Sequence, residues 1–143
     1  MRTLAEIRDD FQYLADADFL DRVQYIGELG DDLPPMSPAD MAAENKVSGC
    51  ASQVWIVTER GDGADPVMTF RGQSDASTVR GLIAILLTLL SGHRASEIGA
   101  IDAESVMQEF KLDDYITARR TNGARAVIRR IKQDAQAALE HAA

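Results

Sequence analysis

The chain has 143 residues, enough for one domain of ordinary size, and we expect a single domain over residues 1–143. Its formal net charge of -8, from 23 acidic and 15 basic side chains, would repel a phosphate backbone, so we expect no nucleic-acid partner. One cysteine and two histidines are too few for a protein-only zinc or iron-sulfur centre, and we expect no metal site.

The apolar segments bear on the compartment in which the chain works. Acidic residues interrupt the apolar stretches of the first 19 residues, unlike the continuous hydrophobic region of a signal peptide. The longest apolar run, residues 82–90, is much shorter than the ~20 residues of a membrane-spanning helix. We therefore expect a cytoplasmic protein in a reducing compartment, without a membrane partner.

Two helices are predicted at the start of the chain. The first has apolar residues at helical spacing: Leu4, Ile7, Phe11 and Leu14. The second has Asp18 as its N-cap and ends at Gly30. Residues 31–38 contain three prolines, and prolines at this density predict a loop or an extended connector.

From residue 44 the pattern changes to the alternation that is typical of strands. Residues 44–47, 53–59 and 67–72 are predicted to form a three-stranded antiparallel meander. The Gly- and Asp-rich residues 60–66 favour a turn between the second and third strands. Cys50 therefore lies in the first connection between strands.

Helices are predicted for the rest of the chain. A long apolar helix covers residues 76–90 and is capped by Ser74 or Asp75. Further helices follow in this order: residues 94–100, residues 103–110 with Asp102 as the N-cap, and a last helix from Thr121 or Asn122. The expected fold class is α+β, with a small antiparallel three-stranded sheet packed against several helices.

Charge is distributed unevenly along the chain. Residues 1–45 carry 11 acidic and 3 basic side chains, which accounts for the whole net charge. A basic cluster without intervening acids follows late in the chain: Arg119, Arg120, Arg125, Arg129, Arg130 and Lys132. Two interpretations remain open, a solvated helix face or a docking surface for an acidic partner.

Cys50 is the candidate reactive residue. A lone cysteine is commonly a small buried hydrophobe. The residues around this one are small, however, and Gly49 permits backbone angles that other residues avoid. A thiol on such a loop can reach the active site of a partner, and loops on a rigid sheet often carry reactive residues.

Residues 45–57, NKVSGCASQVWIV, resemble the signature of the SufE family of sulfur acceptors. The similarity continues in YIGELGDDLPPM (residues 25–36), FRGQSDASTVRGLIAILLTLLSG (residues 70–92) and RRTNGARAVIRRI (residues 119–131). The resemblance implies a fold shared with IscU-type scaffolds. It also implies a role in iron-sulfur cluster assembly, beside a cysteine desulfurase that depends on pyridoxal phosphate (PLP).

The resemblance also implies residue roles. Cys50 would be the nucleophile that accepts sulfane sulfur from a SufS-like desulfurase as a persulfide, stimulate that enzyme and pass the sulfur to a SufB-type scaffold complex. Gly49, Asp75 and Arg120 would support the cysteine loop or bind the partner. No cofactor is expected in this chain, since the PLP belongs to the desulfurase, and no independent turnover is expected.

Two other functions compete with sulfur transfer. Cys50 and His93 could form the nucleophile and base of a hydrolase, which requires the two side chains to lie within hydrogen-bonding reach. Alternatively, the chain could be a noncatalytic adaptor that binds a desulfurase and in which Cys50 is incidental. The adaptor requires Cys50→Ser to leave stimulation of the partner intact, whereas the sulfur carrier requires its loss.

Overall fold

A computed structural model describes residues 2–50 and 52–141. Seven helices and three strands follow one another in chain order: α1 (Leu4–Tyr13), α2 (Phe19–Asp31), β1 (Val54–Arg60), β2 (Val67–Ser74), α3 (Ser77–Leu90), β3 (His93–Arg94), α4 (Ala95–Ala100), α5 (Ala103–Glu109), α6 (Leu112–Tyr115) and α7 (Ala118–Glu140). A short 3₁₀ helix, Ala43–Asn45, precedes β1.

The three strands form one antiparallel sheet in the order β1-β2-β3. The predicted α+β class with a three-stranded antiparallel sheet is therefore confirmed, but one predicted strand is wrong and one strand was not predicted. Residues 44–47 make only an isolated bridge between Lys46 and Trp55. The third strand is instead His93–Arg94, which pairs with the start of β2. Two residues are too few to show an alternating pattern, so the sequence could not indicate this strand.

Helix α3 crosses the centre of the molecule and packs closely on α2. Nine of its 14 residues are buried, as expected for a helix that is apolar on most sides. Two glycines permit the contact, because a Cβ at Gly30 would lie 2.6 Å from the Arg80 Cβ, and a Cβ at Gly81 would collide with the Ile26 carbonyl oxygen. One cluster of buried apolar side chains extends from Ile7 to Ala138.

Some predicted helix boundaries hold and others do not. Asp102 caps α5, since its carboxylate accepts a hydrogen bond from the Ser105 amide. The N-cap of α3 is Ala76 rather than Ser74 or Asp75, because both of those side chains bind the backbone of Gln53.

Helix α7 begins at Ala118, earlier than predicted. Thr121 is not a cap but lies buried inside the helix, where its hydroxyl donates to carbonyls of the preceding turn. The apolar side of α7 faces the core, through buried residues that include Ala124, Val127 and Ile131.

None of the helices that the structure describes is both long enough and apolar enough to cross a membrane.

Candidate functional site

The loop that carries Cys50 is fixed at both ends. Before it, the Val47 amide donates a 2.9 Å hydrogen bond to the Val54 carbonyl oxygen. After it, the Gln53 amide donates to the Asp75 Oδ1 at 3.0 Å. The Asp75 amide donates in turn to the Gln53 carbonyl oxygen at 3.3 Å. The described residues between these anchors, 48–50 and 52, therefore project from the end of the sheet where β1 begins and β2 ends.

Gly49 gives the loop its shape next to the cysteine. Its φ of +86° lies in the left-handed region, where a side chain would add strain. A Cβ at this position would lie 3.8 Å from the Ala126 Cβ and 3.9 Å from Nη2 of Arg129. Gly49 thus brings the tip of the loop against α7.

The Cys50 thiol is half-buried against the first turns of α7. Its S–H donates to the Gly123 carbonyl oxygen at a sulfur-to-oxygen distance of 3.5 Å, which makes it a weak hydrogen bond. A Cβ at Gly123 would lie 3.6 Å from the sulfur, so the absence of a side chain there leaves room beside the thiol. In this position the sulfur is sheltered rather than presented to a partner.

Burial raises the pKa of the Cys50 thiol above its ordinary value, and the positive charge of Arg129 partly opposes this shift. Burial favours the neutral thiol, because an apolar environment penalises the charged thiolate. The thiolate is the nucleophile in sulfur chemistry. The sheltered position therefore holds Cys50 in its less reactive form.

Two more distant residues were predicted for this site, Asp75 and Arg120, and they make different contacts. The carboxylate of Asp75 holds the end of the cysteine loop, as described above. Arg120 extends from α7 to α3, where its Nη1 donates to the Thr78 hydroxyl at 2.9 Å. The structure thus connects Gly49, Cys50 and Asp75 through one loop, and places Arg120 on the helix that covers the thiol.

The hydrolase pair of Cys50 and His93 is wrong. His93 lies in β3 and pairs with Met68, which is opposite Arg60 at the far end of β1. At about 3.3 Å per residue, β1 separates that end from Val54 by about 20 Å. Cys50 lies beyond the Val54 end, out of hydrogen-bonding reach of the imidazole.

Helix α7 confirms the direction in which the loop projects. Gly123, near its start, contacts Cys50, whereas Asp134, three turns later, accepts a 2.5 Å hydrogen bond from the Thr58 hydroxyl. The helix therefore runs along β1 with its first turns beside the thiol.

Across residues 2–50 and 52–141, no group of three or more histidine, cysteine, aspartate or glutamate side chains is arranged to hold a metal ion.

Comparison with known proteins identifies the family. The SufE family, described as the Fe-S metabolism associated domain, matches residues 5–135. The chain belongs to the SufE family. It is 49% identical over 140 residues to an uncharacterised SufE-like protein of Rhizobium meliloti, an alignment that covers 97% of this chain and 99% of the relative. A SufE-like protein of Rhizobium etli, also uncharacterised, is 45% identical over 137 residues, covering 95% of this chain and 91% of the relative.

A solved structure shares the fold. The solution structure of a hypothetical protein from Thermus thermophilus matches with a TM-score of 0.71 and covers 96% of both chains. At 18% identity this likeness shows the fold alone. The SufE assignment therefore rests on the family match and on the two rhizobial relatives.

Two site residues of this SufE chain escaped the sequence analysis. Gly123, which accepts the thiol hydrogen bond, is 73 residues from Cys50, and Arg129 was assigned only to a basic cluster. A glycine in the first turns of a predicted helix is the sole signal that could have indicated Gly123, because glycine lowers helix stability unless a close contact requires it.

Proposed function

We propose that this protein accepts sulfane sulfur on Cys50 from a PLP-dependent, SufS-like cysteine desulfurase and stimulates that enzyme. It then passes the sulfur to a SufB-type scaffold for iron-sulfur cluster assembly. Membership of the SufE family supports this proposal. The chain has one cysteine, so Cys50 is the residue that would carry the sulfur. In this proposal the protein itself needs no cofactor and works in the cytoplasm.

The transfer is an exchange between sulfur atoms. The Cys50 thiolate attacks the outer sulfur of the persulfide on the desulfurase cysteine, so that a new S–S bond forms and the old one breaks. The desulfurase cysteine leaves as a thiolate, and the outer sulfur, now on Cys50, keeps its charge or proton. No external oxidant or reductant is needed, and the reaction follows the rules of thiol-disulfide exchange.

The observation that carries the proposal is the placement of Cys50 on a projecting loop that is anchored at both ends, with its thiol donating a weak hydrogen bond to α7. Such a bond contributes about 1 kcal/mol or less, so a docked partner can displace it. Movement of the thiol away from α7 also removes the burial that raises its pKa. Docking would therefore expose Cys50 and activate it together, while the free protein stays protected from oxidation.

The proposal is tested by adding the protein to a SufS-like desulfurase with cysteine as substrate. We expect the wild-type chain to increase the rate of alanine formation and Cys50→Ser to abolish the increase. The matched control is binding of Cys50→Ser to the desulfurase, measured by calorimetry, which should stay within about twofold of wild type because serine keeps the size and shape of the side chain. Full stimulation by Cys50→Ser would contradict the carrier and establish the adaptor.

A further inference from the structure

Most of the basic residues on α7 have partners within the protein. Arg120 binds the Thr78 hydroxyl, and Arg125 forms ion pairs with Glu104 and Asp113. Arg130 binds Asp134 and the Glu44 carbonyl oxygen. Lys132 binds the Ile101 carbonyl oxygen. The cluster is therefore neither a uniform solvated face nor a uniform docking surface.

Arg129 differs from these four residues. Its side chain is exposed, and it has no hydrogen bond or ion pair with any residue in the described ranges 2–50 and 52–141. Its guanidinium nevertheless lies against the cysteine loop, with Nη2 3.9 Å from where a Cβ of Gly49 would be. Among the described residues, a cation without a counter-charge thus lies beside the residue that precedes Cys50.

Conversion of Cys50 to a persulfide changes the charge and the hydrogen bonding of the sulfur that lies against α7. The thiol donates its proton to the Gly123 carbonyl oxygen. A persulfide is a stronger acid than its parent thiol, so the loaded sulfur is largely anionic at neutral pH and has no proton to donate. An anion next to a carbonyl oxygen is repelled and needs a cation or an N–H donor.

Resting on the proposed function, we infer that Arg129 holds the anionic Cys50 persulfide in the sheltered loop. On loading, the sulfur would exchange its contact with the Gly123 carbonyl for the guanidinium of Arg129. Gly123 has no side chain, and a Cβ there would touch the Cys50 sulfur at 3.6 Å, so the position that a side chain would fill lies directly beside the sulfur. The persulfide can therefore remain against α7, where it is protected from reductants until a recipient protein docks.

Arg129 should also affect the unloaded thiol. Other charged groups near the loop are Lys46, which precedes it, Asp75, bound to the Gln53 amide, and Arg120, bound to Thr78. Of the described residues, Arg129 is the one whose charge lowers the pKa of Cys50. Removing the cation should raise that pKa and so lower the thiolate fraction near neutral pH, and the effect is moderated because an exposed charge acts through water.

The test begins with the loaded protein. Inorganic polysulfide supplies the sulfur: the Cys50 thiolate attacks a sulfane sulfur, and the shortened polysulfide leaves with the electron pair. The rate at which dithiothreitol then releases sulfide is measured for wild type, Arg129→Gln and Arg129→Lys. We expect release to be about threefold faster from Arg129→Gln and near the wild-type rate from Arg129→Lys, which keeps the charge.

Arg60→Gln is the matched control. It removes the same charge from an exposed position at the far end of β1, so it should release sulfide at the wild-type rate. The pH profile of iodoacetamide alkylation at Cys50 gives a second readout that does not need the persulfide. Its midpoint should rise in Arg129→Gln but not in Arg60→Gln, and high salt should reduce the difference.

Sulfide release from Arg129→Gln at the wild-type rate would overturn the inference, as would an equal acceleration in Arg60→Gln. Polysulfide replaces the desulfurase in this experiment. A desulfurase that fails to load Cys50 would therefore contradict the proposed function while leaving the result for Arg129 unaffected.

Discussion

Asp75 is predicted to keep the cysteine loop closed. Its carboxylate accepts the hydrogen bond of the Gln53 amide at 3.0 Å, and Asp75→Ala removes that acceptor while keeping the backbone hydrogen bond from residue 75 to Gln53. Hydrogen bonds to charged groups contribute about 1.5–3 kcal/mol. Because Asp75 is exposed, we take about 1 kcal/mol, which corresponds to an increase of about fivefold in the open population.

The assay is the rate of Cys50 alkylation by iodoacetamide at fixed pH, with thermal unfolding measured in parallel. Removing a negative charge near the loop would also favour the thiolate. Asp75→Asn controls for this effect, since it loses the charge but keeps an oxygen that accepts from Gln53. We expect Asp75→Ala to react about fivefold faster than wild type and clearly faster than Asp75→Asn. Equal rates in the two variants would refute the anchoring role.

Two further predictions concern the fold that supports the site. Gly81→Ala should destabilise the protein by about 3 kcal/mol or more in urea unfolding, because its Cβ would collide with the Ile26 carbonyl oxygen. Gly99→Ala, whose Cβ would meet nothing within 4 Å, is the control and should be neutral or slightly stabilising; similar losses in both would contradict the packing argument. Hydrogen bonding from the Arg71 guanidinium holds the pKa of Asp40 below its ordinary value. The ionised Asp40 carboxylate should therefore stabilise the folded state fully above the unfolded pKa of about 4, and this stabilisation should be lost as the pH falls through the lower folded pKa. Because Asp40→Asn lacks the carboxylate, its free energy of unfolding should fall less than that of wild type between pH 7 and pH 3.

Local signals in the sequence were sufficient to predict most of the helices. Apolar residues at helical spacing indicated α1, and Asp102 indicated the start of α5. The same signals failed where tertiary contacts decide the local structure. Ser74 and Asp75 look like N-caps, but the chain uses them to bind Gln53 of the neighbouring strand.

The sheet illustrates a second limit. Strand β2 (Val67–Ser74) was predicted from its alternating residues and extends two residues beyond the prediction. Strand β3 consists of His93–Arg94 and exists because β2 offers it a pairing edge. No property of those two residues by themselves predicts a strand, because their extended conformation is imposed by the partner.

The cysteine loop of the candidate site was predictable from the sequence, but the residues of α7 that contact it were not. Small residues around a lone cysteine indicated the loop, and the family resemblance gave Cys50 its proposed role. Gly123 and Arg129 come from α7, more than 70 residues later in the chain. Nothing in their local sequence marks a contact with Cys50, since that proximity arises only when α7 packs along β1.

The central claim is that Cys50 carries sulfur, and mass spectrometry of the protein tests it most directly. The protein is incubated with a SufS-like desulfurase and cysteine without reductant, then digested with trypsin, which cuts after Lys46 and Arg60 to give a peptide of residues 47–60. We predict that this peptide gains one sulfur atom, that a thiol reductant removes it, and that Cys50→Ser shows no gain. An unmodified peptide beside a desulfurase that is demonstrably active and bound to the protein would contradict the claim.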